Sequence, residues 1–115
     1  MENFEVIRED QSDVSILRLQ GFLDAHTAPK FEKAIQQLLS ENRFKLVISM
    51  TELNYISSAG LGVFMGFIEE IRKNDGDIKL SNMSPKVYKV FDLLGFPALY
   101  DIFSDESEAK QKFSQ

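Results

Sequence analysis

The amino-acid sequence predicts an α/β fold: a mostly parallel sheet of about five strands, an antiparallel N-terminal hairpin strand and four helices, in the order ββαβαβαβα. Two observations lead to this prediction. Short runs rich in β-branched and aromatic residues alternate with segments whose apolar residues recur every three to four positions. The first two runs are separated only by the polar stretch DQSD, as in a hairpin. Alternating strands and helices are typical of a parallel sheet covered by helices.

The predicted strands are short and bounded by polar or glycine-containing stretches. Gly21 closes the second strand, and GFLDAHT is then expected to form a loop. The run FKLVISM is continuously apolar, which predicts a central strand buried on both faces. The five strands are predicted over residues 4–9, 14–20, 44–50, 78–82 and 98–103.

The predicted helices carry apolar stripes and terminal signals. In the first helix, Thr27 is a candidate N-cap and Pro29 lies in the first turn, where a missing N–H costs little. Ser84 is a candidate N-cap of the third helix, and acidic residues begin the fourth, which suits the helix dipole. The four helices are predicted over residues 27–42, about 59–73, 84–95 and 104–113.

Composition excludes several classes of function. The 115 residues suit one domain, residues 1–115, and a net charge of −5 without a basic stripe argues against a nucleic-acid partner. Cysteine is absent and His26 is the single histidine, which excludes thiolate chemistry and most metal sites. No apolar run approaches the length of a membrane span, so we expect a cytoplasmic protein.

The segment SSAGLGVFMGF opens the second predicted helix. On a helical wheel, Gly62 and Gly66 lie on one flank of the arc that faces the sheet, while Val63 and Phe67 point away from it. The glycines either pack closely against a neighbouring helix or leave a flat surface for a partner. Val63 and Phe67 either pack under a loop or form an exposed apolar patch that binds a partner. The sheet-facing arc is predicted to contain Leu61, Phe64, Met65, Ile68 and Ile71.

Ser58, just before this helix, has two compatible interpretations. Serine is a preferred N-cap, because its oxygen accepts hydrogen bonds from backbone N–H groups that lack a helical partner. A helix N-terminus also stabilises an anion, so a phosphate on Ser58 would be electrostatically favoured there. The hydroxyl is therefore a candidate both for capping and for covalent modification.

Catalytic readings of this segment are weaker. Asp24 and His26 could lie near Ser58 as a hydrolase triad, but the local string YISSAG is not G-x-S-x-G. The stretch GLGVFMG matches neither G-x-G-x-x-G nor a Walker A sequence. SDESE is more typical of a solvated helix start than of a metal site.

Four stretches, in this order and spacing, together cover nearly the whole chain: LQGFLDAHTAPKFEKAI, LVISMTELNYISSAGLGVFMGF, IKLSNMSPKVYKVFDLLGF and LYDIFSDESEA. With them the sequence resembles the STAS domain family and, within it, the bacterial anti-sigma-factor antagonists. The resemblance implies the STAS fold.

The family's usual string before the helix is D-S-[ST]-G-L-G. Aligned with this sequence, its phospho-acceptor serine is Ser58, and its glycine and leucine are Gly60 and Leu61. Its aspartate falls on Ser57 and its Ser/Thr on Ala59, so the chain departs from the pattern at both positions. Ser57 is consequently an alternative acceptor. The aspartate of the family's G-x-L-D string matches Asp24 and implies a position near the acceptor.

The resemblance further implies a binding protein without enzyme activity or cofactor. In its unmodified form it would bind an anti-sigma factor that is also a serine kinase, and so release a sigma factor. Phosphorylation of Ser58 would abolish binding and a serine phosphatase would restore it. The alternative is a STAS module of a nucleotide-sensing, lipid-transport or other signalling assembly without a phosphorylation switch. The expected partner-binding residues are Asp24, Thr27, Ser57, Ala59, Gly60, Gly62, Val63, Gly66 and Phe67.

Overall fold

The computed structural model describes residues 3–114 and confirms the predicted order ββαβαβαβα. The strands are β1 (Phe4–Gln11), β2 (Val14–Leu23), β3 (Lys45–Ile56), β4 (Asp77–Ser81) and β5 (Ile102–Phe103). The helices are α1 (Ala28–Ser40), α2 (Ser58–Lys73), α3 (Pro85–Leu93) and α4 (Glu106–Gln111), with short 3₁₀ turns at Phe96–Ala98 and Lys112–Ser114.

The five strands form one sheet in the order β1-β2-β3-β4-β5, in which β1 is antiparallel to β2 and the other pairs are parallel. One face carries the main core with α1, α2 and α3. Phe64 of α2 links the three helices, because its ring centroid lies 5.1 Å from that of Phe31 and 5.6 Å from that of Phe91. On the other face Ala109 of α4 packs in a smaller cluster with Val14, Ile16 and Val47. Residues 46–50 of β3 are all buried, as expected for a central strand.

Strand boundaries were the least accurate prediction. β2 continues through Gly21 to Leu23, so the first part of the expected loop is strand. β3 continues to Ile56, well beyond the predicted end at residue 50. Its second half pairs with β2 through two register shifts, which break the alternation of apolar and polar residues that marks a strand in sequence.

The last predicted strand is also shorter than expected. Only Ile102–Phe103 pair with β4, while residues 96–98 form a 3₁₀ turn. Gly95 adopts a left-handed φ of 76° and Pro97 follows, so the chain turns where the apolar run alone suggested extension.

The helix ends agree better with the sequence signals. The Oγ of Ser84 accepts a hydrogen bond from the Val87 N–H at 3.2 Å, which confirms this residue as the N-cap of α3. Pro29 lies in the first turn of α1, as predicted. Among residues 3–114, no helix combines the length and apolar character needed to cross a bilayer.

Candidate functional site

The candidate site lies where β2 and β3 end side by side. Leu23 pairs with Ile56, and the Ser57 N–H donates to the Leu23 carbonyl oxygen at 2.9 Å. Asp24 immediately follows Leu23, and Ser58 immediately follows Ser57. The fold therefore brings the two sequence-predicted loops together at the carboxyl edge of the sheet, where α/β proteins commonly bind ligands.

Asp24 and Thr27 hold the β2–α1 loop. The Asp24 Oδ1 accepts the backbone N–H groups of His26 at 2.9 Å and Thr27 at 3.1 Å. The Thr27 Oγ1 accepts the Asp24 N–H at 3.0 Å and donates to the Phe22 carbonyl oxygen at 2.8 Å. Thr27 is the N-cap by position, but its side chain makes no capping hydrogen bond and is buried. The predicted N-cap position is confirmed, but capping by the side chain is wrong: the buried side chain closes the loop and offers a partner no surface.

The two adjacent serines differ in role. Ser57 has an extended backbone and is the N-cap of α2, with its Oγ accepting the Gly60 N–H at a long 3.4 Å. The expectation that Ser58 caps the helix is wrong, because the helix begins one residue earlier than predicted. Serine and aspartate are comparable N-caps, so Ser57 supplies the cap at the position where the family pattern has aspartate.

Ser58 is the first residue of α2 and its side chain is exposed. Within residues 3–114 its hydroxyl has no hydrogen-bond partner. The first-turn N–H groups and the helix dipole place a positive electrostatic potential around it. The arrangement can accept an anionic group at Ser58 without displacing the cap.

The buried side of α2 is wider than the wheel predicted, because the helix packs against α1 as well as against the sheet. Val63, expected to point away from the core, is only 5% exposed, and Phe67 is partly buried against the same core. Met65, expected to face the sheet, is 48% exposed. The predicted outward direction of Val63 and Phe67 is therefore wrong, and of the two alternatives the exposed apolar patch is excluded. Met65 takes the outward position.

The three glycines of α2 serve different purposes. A Cβ added at Gly60 would lie 2.7 Å from the Leu23 Cγ, so the buried Gly60 lets α2 approach β2 and presents no side chain to a partner. Gly62 and Gly66 are exposed, and a Cβ at either would meet no atom of residues 3–114 within 4 Å. Close packing against a neighbouring helix is thus the wrong explanation for Gly62 and Gly66. Nothing in the sequence string distinguished them from Gly60.

The outward side of α2 forms one continuous strip. At about 100° per residue, its members lie within an arc of roughly 100°. They are Ser58, Gly62, Met65, Gly66 and Glu69, all exposed. We call this strip the α2 face; Ala59 is half-buried beside it.

A hydrolase triad finds no support in the geometry. Asp24 directs its Oδ1 to backbone N–H groups, and across residues 3–114 the ring of His26 forms no hydrogen bond. A triad requires the base to be oriented by the acid and to contact the nucleophile.

Comparison with known proteins agrees with the fold and the motifs. The family model described as the STAS domain matches residues 5–109. The chain is 30% identical over 102 residues to the anti-sigma-B factor antagonist of Listeria monocytogenes, covering 89% of this chain and 90% of that protein.

Solved structures share the fold. An anti-sigma factor antagonist from Mycobacterium paratuberculosis has a TM-score of 0.89 at 22% identity, covering 97% of this chain and 95% of that one. The Bacillus cell fate determinant SpoIIAA in its phosphorylated form has a TM-score of 0.72 at 23% identity, covering 96% and 98%. From the matching family model and the Listeria relative, the chain belongs to the STAS domain family, within its branch of bacterial anti-sigma factor antagonists.

Proposed function

We propose that this protein is an anti-sigma factor antagonist whose α2 face docks on an anti-sigma factor and is switched off by phosphorylation of Ser58. The anti-sigma factor acts as the serine kinase, and its capture by the unmodified antagonist releases a sigma factor. A serine phosphatase restores binding. The observation that carries the proposal is the exposed hydroxyl of Ser58 at the first position of α2, which has no hydrogen-bond partner among residues 3–114 and lies beside a separate cap at Ser57.

The division between the two serines favours a switch that leaves the fold intact. A phosphate adds about −1.5 to −2 charges at neutral pH, and at a helix N-terminus this charge meets favourable N–H dipoles. The cap of α2 would remain, because it belongs to Ser57. The same charge in the centre of a docking surface would oppose a partner fitted to the neutral hydroxyl.

The glycines of the α2 face support docking at close range. Glycine inside a helix costs roughly 0.5–1 kcal/mol relative to alanine, and the chain has room for alanine at Gly62 and Gly66. The fold of the protein therefore does not require either glycine. A partner that packs directly on the helix backbone does explain them, and the exposed Met65 adds an adaptable apolar contact beside them.

The relatives support the same conclusion. The Listeria protein is named an anti-sigma-B factor antagonist, and the Bacillus neighbour was solved in a phosphorylated form. Asp24 directly follows Leu23, whose carbonyl oxygen accepts the Ser57 N–H, which supports a position for Asp24 at the edge of the proposed docking surface.

The test is phosphorylation by anti-sigma factor kinases from the genome that encodes this chain. Each kinase is incubated with ATP and the protein, and intact mass and peptide mapping locate the added phosphate. We expect one phosphate on Ser58, none on Ser58→Ala, and continued modification of Ser58 in the matched control Ser57→Ala. Ser58→Ala should also remain bound to the kinase in the presence of ATP.

Two results would contradict the proposal. A stable complex without phosphate on Ser58 would show binding without the switch, and phosphate on Ser57 would assign the wrong acceptor. Calorimetry with nucleotides addresses the alternative STAS module: saturable nucleotide binding by the isolated protein that is unchanged in Ser58→Ala would favour that function.

A further inference from the structure

A second exposed surface lies on the opposite side of the sheet from α2. There α4 covers only the first part of the strands, through Ala109 in the smaller core and through Glu106, whose Oε1 lies 2.8 Å from the Arg18 Nη2. Beyond Arg18, β2 continues with Gln20 and Phe22 on the same face, because side chains alternate along a strand. The described part of α4 does not reach this end of the sheet.

The neighbouring strands complete this surface through cross-strand pairs. Glu5 pairs with Gln20, Gln20 with Glu52, and Phe22 with Tyr55. We call these five residues the open sheet face. All except Gln20 are exposed, and Gln20 is half-buried.

Two bulges in β3 enlarge the open sheet face. Between consecutive pairs, β3 advances from Ser49 to Glu52 while β2 advances only from Arg18 to Gln20, and a second shift follows at Leu53. Residues 51–52 and 54–55 are therefore exposed in adjacent couples, whereas Leu53 and Ile56 remain buried. Bulges that re-aim side chains occur frequently beside functional sites.

The chemistry of this face combines aromatic rings with carboxylates. Phe22 is 46% and Tyr55 44% exposed, and their ring centroids are 6.1 Å apart. Glu52 makes no ion pair or hydrogen bond with the rest of residues 3–114, and Glu5 meets only the long 3.6 Å contact from Lys30 at the rim. Gln20, Phe22 and Glu5 also line a cleft of about 340 Å³.

We propose that the open sheet face binds an arginine side chain of a partner protein. A guanidinium group stacks on aromatic rings and donates a fork of hydrogen bonds to a carboxylate, and Phe22, Tyr55 and Glu52 present both kinds of group together. A second copy of this chain is the poorer occupant, because like acids would face one another across the contact. The surface is separated from the α2 face by the sheet, so both can be occupied at once.

The test is an NMR titration of the ¹⁵N-labelled protein with the capped tripeptide acetyl-Leu-Arg-Leu-amide. The control peptide replaces arginine with citrulline, which keeps the shape and removes the charge. We expect saturable amide shifts at residues 20–22 and 52–55, and binding about fivefold weaker for the citrulline peptide, in line with the strength of exposed cation–π contacts. Glu52→Gln should weaken binding about threefold, as expected for an exposed ion pair, whereas Glu32→Gln, which removes an exposed acid on α1, should not.

Three outcomes would overturn this assignment: equal affinity for the two peptides, shifts located on the α2 face, or the same shifts appearing on protein dilution, which would indicate self-association. Phe22→Ser is a second variant for the same titration. It should fold, because the Phe22 side chain is half exposed, and it should bind the arginine peptide more weakly. None of these measurements involves a kinase or Ser58, so failure here leaves the proposed antagonist function untouched, and the reverse also holds.

Discussion

The sheet has an amino edge, where the parallel strands begin, and a carboxyl edge, where they end, and the two edges are held together in different ways. At the amino edge, long charged side chains tie the elements together; the Arg8 Nη2, for example, lies 2.6 Å from the Glu41 Oε1 and links β1 to the end of α1. At the carboxyl edge the ties around Ser58 are short ones, such as Ser57 to Leu23 and Thr27 to Phe22. The longer Lys30 side chain reaches only the outer strand, at the Phe4 carbonyl oxygen. Further amino-edge contacts join Lys45 to Asp13, Arg43 to Ser15 and Arg72 to Asp77.

This difference separates folding from recognition. Around Ser58, short bonds hold the carboxyl edge without long side chains that would stand in the way of a partner. Ser58 itself is exposed, and among residues 3–114 its hydroxyl has no hydrogen-bond partner. Ion pairs at the exposed amino edge each contribute little, because solvent and salt screen them. Changes at the carboxyl edge should therefore alter binding most, and changes at the amino edge should alter only stability, and slightly.

The largest effect is expected from Ser58→Asp. A fixed negative charge at this position should weaken binding of the anti-sigma factor by about 100-fold or more, because an unpaired charge in an interface costs several kcal/mol. The free energy of unfolding should stay the same or rise slightly, since an acid in the first turn of a helix is favourable. Isothermal titration calorimetry and urea unfolding measure the two quantities.

Gln36→Glu is the matched control for Ser58→Asp, because it adds the same charge on an exposed position of α1. It should leave binding unchanged. Tight binding by the Ser58→Asp variant would contradict both the switch and the contrast between the two edges.

Gly60→Ala tests the buried part of the carboxyl edge. The new Cβ would lie 2.7 Å from the Leu23 Cγ and 3.1 Å from the Ile56 Cγ1, so we expect a loss of about 1–3 kcal/mol in the free energy of unfolding, typical of overpacking. Chemical denaturation measures it. The same substitution should cost less in a Leu23→Ala background, where the methyl group has room, and additive costs would refute the proposed clash.

Gly62→Ala and Gly66→Ala should change the free energy of unfolding in the opposite direction to Gly60→Ala. Each should raise the free energy of unfolding by about 0.5–1 kcal/mol, because a helical glycine is replaced where no atom of the described residues lies within 4 Å of the new Cβ. The double variant should nevertheless bind the anti-sigma factor more weakly, because two methyl groups hold the partner away from the helix. A more stable double variant with unchanged affinity for the anti-sigma factor would show that the two glycines are not part of the docking surface.

The sequence predicted the element order and the segment that opens α2 because these depend on local signals. Apolar periodicity located the helices, and the serine pair with its following glycines marked the start of α2. The end of β3 could not be predicted, since the two bulges place Thr51 with Glu52 and Asn54 with Tyr55 on one side and destroy the period of two.

The finer assignments required tertiary information. Whether Ser57 or Ser58 caps α2 depends on where the backbone leaves β3, and Ser57 is fixed there by its bond to Leu23. The burial of Val63 depends on α1 packing beside α2, which no local pattern records. Gly60 differs from Gly62 through the Leu23 and Ile56 side chains, which belong to strands packed against the helix.

The smallest effect is expected at the amino edge, from Arg8→Met. The hydrogen bond from Arg8, aided by one from Gln37, lowers the pKa of Glu41 to about 2. The folded-state pKa lies below the pKa of about 4.3 in the unfolded chain. The ionised pair therefore stabilises the protein at pH values above about 4.3. That contribution is lost as the pH falls towards 2. In Arg8→Met the pKa of Glu41 should return most of the way to the ordinary carboxylate value, which carboxyl ¹³C NMR titration measures directly.

Stability should respond weakly to this change, because both side chains are exposed to solvent and salt. We expect the urea midpoint of Arg8→Met to be slightly lower than that of the unmodified protein at pH 7, and the two midpoints to converge near pH 2. Binding of the anti-sigma factor at neutral pH should be equal for the two proteins, because the Arg8–Glu41 pair lies at the edge of the sheet opposite Ser58. A Glu41 that titrates normally in the unmodified protein would disprove the ion pair. A loss of binding in Arg8→Met would show that the two edges are coupled, and the separation of folding from recognition would then fail.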